Sequence, residues 1–387
     1  MKRYDRITPP GTKDYVFDEC ECLRSVCEKL RGLFTEHDYL EVRTPTIEFF
    51  DTFSNGVGKI SQDELYTLTD SSGRLLVLRP DSTKPIARLC ASRLNKRSLP
   101  LRIWYNQPVF RRNIQLCKKS DENLQSGVEL IGSKSIKADI EMLLLAVESM
   151  NTLFGRNFLI EIGHMGLIRS LLSNISDPIL SMKTRIAIAS KNYPELLSLS
   201  DCVGEAGRAL REIPKSFGSP DILDLAKNLF SKCEEQKALD ELKLLCQIVK
   251  DHGYGENIIV DLAVVNDYEY YTGVVFRGYI RDEGMALLSG GRYDTLYSDY
   301  GIDMPAVGFA VGVNDVARIM SAKAEKPNCT DKILMIYSSA NKMPQALSEA
   351  KKYKLKGYKT QISLDDNDCD AIANAKKSGA ELIIIKD

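Results

Sequence analysis

The sequence predicts an α+β fold: an antiparallel sheet flanked by helices, with a helical insertion and a small C-terminal α/β domain. Three observations carry this prediction. Strand-like runs follow one another through hairpin turns rather than regular helical crossovers, as in antiparallel sheets and unlike a doubly wound parallel one. Residues from about 165 to 255 lose the strand signal and show helical periodicity in segments rich in Leu, Lys, Ser and Glu. Beyond residue 330 the pattern becomes strand, helix, strand, helix, strand, which reads as a compact βαβαβ unit. The expected division is a core of 1–164 and 256–322, an insertion of 165–255 and a terminal domain of 330–387.

Each element has its own signal. Asp18 to about His37 carries Leu23, Val26, Leu30, Leu33 and Phe34 at helical spacing, with Asp18 and Glu19 at the positive end of the helix dipole. A short strand follows and is broken at Pro45, which has no N–H to donate and so belongs at an edge, a bulge or an interface. Asp70-Ser71-Ser72-Gly73 is a hairpin turn leading into the strand Leu75–Leu78, and a helix begins near Ser82. "LRIWYNQPVF" and "SGVELIG" are strands, "SIKADIEMLLLAVESMNTLF" is an amphipathic helix and "NFLIEIGH" is a strand again. After the insertion the strand pattern returns in "NIIVDLAVVNDYEYYTGVVFRGYI", "GMALLSGGRYDTLY" and "MPAVGFAVGVNDVARIM". A Lys/Pro/Asn linker around 324–331 then leads to "KILMIY", a helix Met343–Lys354, "YKTQISL", a helix near Asp370–Lys377 and "AELIIIKD".

Composition bounds the function. A chain of 387 residues is too long for one ordinary core. Hydrophobic residues make up 44% and charged residues 27%, as in soluble globular proteins. The formal net charge of −1 gives no general attraction to a polyanion. No apolar run reaches membrane-spanning length, and no apolar stretch follows the charged N-terminus, so neither a membrane span nor a signal peptide is expected. Cys20, Cys22 and Cys27 cluster on the first helix, but no C-x-x-C pair occurs, and His37, His164 and His252 are scattered. Reduced thiols in a cytoplasmic protein are the expectation, with no zinc site. No Walker or dinucleotide fingerprint is present, and no cofactor is expected.

Four clusters could carry chemistry. In Arg79-Pro80-Asp81-Ser82-Thr83, at a strand end entering a helix, Asp81 could pair with an ammonium group and Thr83 could hydrogen-bond it. Asp or Ser there would equally satisfy free N–H groups at the helix start. In the following hairpin, Arg111 is placed to hold a phosphate or carboxylate, and Gln125, Gly127 and Glu129 share one strand face by alternation. "YEYYTGVVF" carries a tyrosine stripe, which core packing alone would also explain. In Ser289-Gly290-Gly291-Arg292-Tyr293-Asp294, the paired glycines permit close backbone approach to a ligand or to another strand.

Taken in order, "TPPGTKD", "RPDST", "PVFR…LQSGVELIG", "YYTGVVF", "GGRYD" and "PAVGFAVG" resemble the core of histidyl-tRNA synthetases, a class II aminoacyl-tRNA synthetase-like fold, from Thr8 to about Met320. The resemblance implies a histidine pocket. Asp81 and Thr83 would meet the α-amino group, Arg111 and Gln125 the carboxylate, and Glu129 and Tyr271 the imidazole, with Tyr270 and Tyr293 as walls. Asp81 stands where synthetases carry a Glu.

Several positions depart from an active synthetase. Asn113 replaces the Glu that contacts adenine, Asp121 falls where an ATP-gripping Arg is expected, Asn266 replaces the catalytic Arg and Asp315 the last ATP-binding Arg. Phosphoryl chemistry needs positive groups where charge develops, and a carboxylate beside a triphosphate repels it. The terminal domain is also shorter than a synthetase's anticodon-binding domain, so no tRNA is expected. This combination is similar to the regulatory-subunit family of ATP phosphoribosyltransferase. That similarity implies a non-catalytic chain forming a homodimer within a hetero-octamer with the short-form catalytic subunit. It also implies histidine as feedback ligand in the first step of histidine biosynthesis. The expected homodimer contact involves the first long helix and the segment around Pro45.

Overall fold

The computed structural model describes residues 4–113, 120–204, 206–264, 270–281, 283–323 and 333–385. Two compact units divide the chain, Met1–Ser321 and Ala322–Asp387.

In the first unit, α1 (Asp18–Glu36) buries Val26, Leu30 and Phe34, one residue per turn, so a single stripe faces the core. β1 (Leu40–Glu41), β2 (Ile47–Phe49) and α2 (Asp51–Ser54) follow, with Pro45 lying between the two strands. The Asp70–Gly73 turn joins β3 (Thr67–Thr69) to β4 (Leu75–Leu78). Asp70 builds this turn itself, accepting from the N–H groups of Ser72 and Arg74 at 2.8 and 2.9 Å. Then come α3 (Thr83–Leu89), β5 (Leu101–Phe110), β6 (Glu122–Ile131), α4 (Ile136–Phe154) and β7 (Phe158–His164). The second strand of the hairpin starts at Glu122, earlier than the motif "SGVELIG", because its N-terminal half pairs with Pro108, Val109 and Phe110 of β5.

The insertion comprises α5 (Met165–Ser173), α6 (Pro178–Ala189), α7 (Tyr193–Ser200) and α8 (Ala206–Glu212), then β8 (Phe217–Gly218), α9 (Ile222–Ala226) and α10 (Cys233–Val249). Asp177 and Asn192 cap α6 and α7, each just ahead of a proline in the first turn. Ile168, Leu171, Ile188, Leu196 and Leu210 form a core of the insertion's own. It is not purely helical: the two residues of β8 pair with β9 (Ile258–Asp261) at the edge of the main sheet. So short a strand leaves no periodicity to read.

β10 (Val274–Ile280), β11 (Leu288–Arg292), β12 (Ala306–Gly312) and α11 (Val313–Lys323) complete the unit. The nine-stranded sheet runs β1-β5-β6-β12-β11-β10-β7-β9-β8, and β2-β4-β3 form a separate small sheet. From β5 to β7 every pairing is antiparallel, whereas β1 joins β5 and β9 joins β7 in parallel. The antiparallel expectation therefore holds for the centre, and the sheet as a whole is mixed. One face packs on α1, α4 and α10 through Phe34, Trp104, Val128, Phe276 and Phe309. The other face carries Tyr105, Tyr270, Tyr271, Tyr293 and Tyr297 with Ile86 of α3. Adjacent residues divide between these faces, Trp104 from Tyr105, as the two-residue period requires.

The second unit holds β13 (Ile333–Ser338), α12 (Met343–Leu355), β14 (Lys359–Ile362), α13 (Asp368–Ser378) and β15 (Glu381–Ile385). Its parallel sheet has the order β14-β13-β15 over a small core of Leu334, Ile336, Ala346 and Ala350. The linker expected at 324–331 lies outside the described residues. Among the described residues no helix is long and apolar enough to cross a membrane, and no group of three or more His, Cys, Asp or Glu side chains is arranged to hold a metal ion.

Candidate functional site

The site lies on the tyrosine face of the sheet. Arg79 fixes one side of it. Its buried guanidinium donates to the carbonyls of Pro108 (2.7 Å), Thr44 (2.7 Å) and Pro45 (3.1 Å), locking the strand-to-helix junction against β5. Two residues on, Asp81 Oδ1 accepts from Lys84 N–H at 3.0 Å at the start of α3. The same carboxylate lines the cavity. Helix capping and a cavity-facing role thus coexist in one side chain. Lys84 points elsewhere, donating to the carbonyls of Thr52 (3.2 Å) and Asn55 (3.1 Å).

β6 supplies Gln125 and Glu129 to the same cavity. Glu129 is 2% exposed. Thr83 donates to its Oε1 at 3.0 Å and the Tyr293 hydroxyl donates to its Oε2. Space for this carboxylate depends on Gly308 of β12, where a Cβ would overlap Glu129 Oε2. Gly127 likewise admits the Tyr105 hydroxyl, which sits 2.5 Å from where its Cβ would be. Burial pushes Glu129 up to about 8; the charge of Asp81 adds to this and the hydroxyl bonds from Tyr293 and Thr83 oppose it. Burial also holds Asp81 above the ordinary carboxylate range.

Tyr270 and Tyr271 correct the sequence reading. They lie in a turn ahead of β10, not in a strand. Strand alternation would send neighbouring residues to opposite faces, whereas the turn lets both rings line one cavity. Their ring centroids are 4.7 Å apart, and Tyr270 meets Tyr293 edge-on at 5.4 Å. Tyr268, Glu269 and Asn266 lie outside the described residues, as do Lys118 and Lys119.

The cavity measures about 80 Å3. It brings together Asp81, Thr83, Gln125, Glu129, Tyr270, Tyr271 and Tyr293. Arg111 is not in its wall. The guanidinium is 2.5 Å from Glu64 Oε2, and Arg111 bears on Asp81 through its charge. Ser289, at the head of the Ser289-Gly290-Gly291 cluster, belongs to the wall, as does Tyr105, which the motifs did not single out. Tyr105 could have been found from its alternation with Trp104 along β5. Among the described residues lining the cavity there are two carboxylates and no Lys or Arg. Such a wall suits a cationic guest with hydrogen-bond donors.

A neighbouring cavity of about 190 Å3 shares Gln125, Ser289 and Ala310 and adds Asn123, Asn314 and Asp315. Asp315 therefore places a carboxylate in the wall of the adjoining cavity, at the position where the synthetase resemblance expects an arginine. Asp121 holds the local fold together. It accepts from the Tyr66 hydroxyl (2.6 Å) and from Asn113 N–H (3.1 Å), while its own N–H donates to Gly11 O (2.7 Å). Arg292, in the "GGRYD" motif, is also structural, gripping Asp139 of α4 at 2.8 and 2.6 Å.

The antiparallel sheet centre, the strand-to-helix aspartate and the glycine-rich partner strands define a class II aminoacyl-tRNA synthetase-type core. Comparison with known proteins narrows the class. The family model described as histidyl-tRNA synthetase matches residues 11–316. An ATP phosphoribosyltransferase regulatory subunit from Clostridium botulinum (strain 657 / Type Ba4) is 34% identical, covering 99% of this chain and 92% of that protein. One from Clostridium acetobutylicum is 37% identical, covering 95% and 91%. The crystal structure of an ATP phosphoribosyltransferase regulatory subunit/histidyl-tRNA synthetase from Bacillus halodurans superposes with a TM-score of 0.86 at 27% identity, covering 100% of both chains. The chain belongs to the histidyl-tRNA synthetase-like family and, within it, to the ATP phosphoribosyltransferase regulatory subunits.

Proposed function

We propose that this protein senses histidine on behalf of ATP phosphoribosyltransferase. It assembles with the short-form catalytic subunit, is needed for that subunit's activity and conveys feedback inhibition when histidine fills the Glu129 cavity. The observation that carries this reading is a buried pair of carboxylates, Asp81 and Glu129, in a wall with no cationic side chain among the described residues. Free histidine brings the two groups such a wall lacks, an ammonium for Asp81 and an imidazole N–H for Glu129. The cavity is far below the roughly 300–1,000 Å3 of sites for drug-sized ligands, so it favours an imidazole-sized ring over a nucleobase. Gln125, shared with the neighbouring cavity, has an amide to offer the ligand's carboxylate. Arg111 is engaged with Glu64 outside this wall. Selectivity follows from polar groups that an apolar analogue would leave unpaired.

Phosphoribosyl transfer belongs to the partner in this reading, and Asp315 disfavours an ATP triphosphate beside the cavity. Homodimerisation within a hetero-octamer is part of the same proposal. Exposed Leu40, Ile47 and Phe49, flanking Pro45, support an association face there.

Reconstitution with a short-form catalytic subunit tests the proposal. The mixture should be active where the catalytic subunit alone is not, and histidine should inhibit it. Tyr271→Phe should stay active with its inhibition curve shifted to higher histidine. Histidine sensitivity identical to the parent's would remove this cavity from regulation.

A further inference from the structure

The turn carrying Tyr270 and Tyr271 is held from outside the sheet, by the first helix of the insertion. Arg169, on the exposed side of α5, donates from Nη2 to the carbonyl of Tyr271 at 2.9 Å. Met165 N–H, at the start of the same helix, donates to Gly273 O at 2.9 Å. On the sheet side, Thr272 N–H donates to Arg292 O at 2.7 Å and Asp294 N–H to Thr272 Oγ1 at 3.0 Å. Tyr271 packs its ring over Gly291, where a Cβ would stand 2.8 Å from Cδ1. The turn is thus pinned between two bodies, β11 on one side and α5 on the other.

α5 is in turn fastened to the longest helix of the insertion. Ser170 Oγ donates to Glu235 Oε1 of α10 at 2.6 Å, and His164, which caps α5, meets Glu241 Oε2 at 3.2 Å. Ile168 and Leu171 of the same helix are buried in the insertion's separate core. A displacement of α5 and α10 against the sheet therefore pulls on the Tyr271 carbonyl or breaks its bond to Arg169.

We propose that Arg169 is a positioning residue that couples the insertion to the ligand cavity: it sets Tyr270-Tyr271 against the guest, and cavity occupancy is conveyed through it to α5 and α10. This rests on the histidine reading of the cavity given above. A long, exposed arginine held to one carbonyl adds little to overall stability, because ordering its side chain offsets much of the bond. The bond's location, on the backbone of a cavity-wall tyrosine, gives it leverage over ligand geometry instead. Coupling requires that the guest favour one of two arrangements of the turn.

The test compares the full-length parent, Arg169→Met and Arg169→Lys. Histidine binding is measured by calorimetry, hydrogen–deuterium exchange is followed with and without histidine, and thermal melts monitor folding. In the parent, histidine should slow exchange at Tyr270–Gly273 and also across α5 and α10. Arg169→Met should melt close to the parent and bind about tenfold more weakly, as for loss of one charge-assisted bond. Its protection should remain near the cavity and be lost from the insertion. Arg169→Lys, which keeps a cationic donor, should recover part of both effects. Parent-like affinity in Arg169→Met, or protection still reaching α10, would overturn the coupling while leaving the histidine reading intact. Absence of histidine binding in the parent itself would instead overturn the histidine reading and the coupling with it.

Discussion

Glu129 concentrates the site's chemistry in one side chain. A carboxyl that titrates near 8 in the folded protein, against its ordinary value of 4.5, keeps a proton that the unfolded chain releases. The folded state therefore binds more protons between those values, and ligand-free stability falls as pH rises through that window. The loss is on the order of a few kcal/mol. Thermal melts at pH 5 and pH 8.5 should show a drop in the parent that is clearly reduced in Glu129→Gln, with Asp81, Asp139 and Glu161, which burial also raises, contributing to what remains. The same variant should bind histidine about thirtyfold more weakly by calorimetry at pH 8.5, where Glu129 is ionised, since a hydrogen bond to a charged group is worth about 2 kcal/mol. Equal affinities would mean that Glu129 does not meet the imidazole. Gly308 offers a second probe, because an added methyl overlaps Glu129 Oε2 and stands 2.5 Å from Val128 O. Gly308→Ala should cost about 1–3 kcal/mol of stability in denaturant melts, as overpacking does, and should weaken histidine binding.

Among the elements, β11 is tied by a buried ion pair to α4 behind the sheet. Arg292 leaves the end of β11 and clasps Asp139 of α4, with Asp294 at 3.2 Å completing the network. Removing one partner of a buried pair strands the other, so Arg292→Ala should lose about 3–5 kcal/mol, measured as a shift in the urea midpoint. A double variant with Asp139→Ala should lose less than the two single losses added together. The element most poorly legible in the sequence was the Tyr270–Gly273 segment. Tyrosines and β-branched neighbours favour a strand there, yet bonds to Arg169, Met165 and Arg292 hold it as a turn. None of those three partners is close to it in sequence.

At the scale of the whole molecule, the cavity residues come from α3 and the residues just ahead of it, β5, β6, the turn before β10, β11 and its end, and β12, all within the unit Met1–Ser321. The synthetase resemblance expects arginines where this chain has Asp315 and, outside the described residues, Asn266. Histidine-dependent exchange of pyrophosphate into ATP should accordingly stay at background. A rate clearly above it would restore a synthetase reading. The second unit has its own parallel sheet and small core.

The sequence by itself determined the order and type of most elements, because hydrophobic period, turn residues and caps are local properties: the stripe of α1, the Asp70 turn and the capped helices of the insertion all follow from neighbours in the chain. It also pointed to Asp81, Thr83, Gln125, Glu129 and three tyrosines, through motifs whose order is specific. Tertiary structure decided which of these share a wall. It bound Arg111 to Glu64, brought Tyr105 in, and gave Asp121 to Tyr66 and Gly11. It also raised the proton affinity of Glu129, because burial and the nearness of Asp81 exist only once α3 lies against β6. Electrostatic environment and side-chain pairing depend on distances between residues far apart in the chain, and only the packed fold sets those distances.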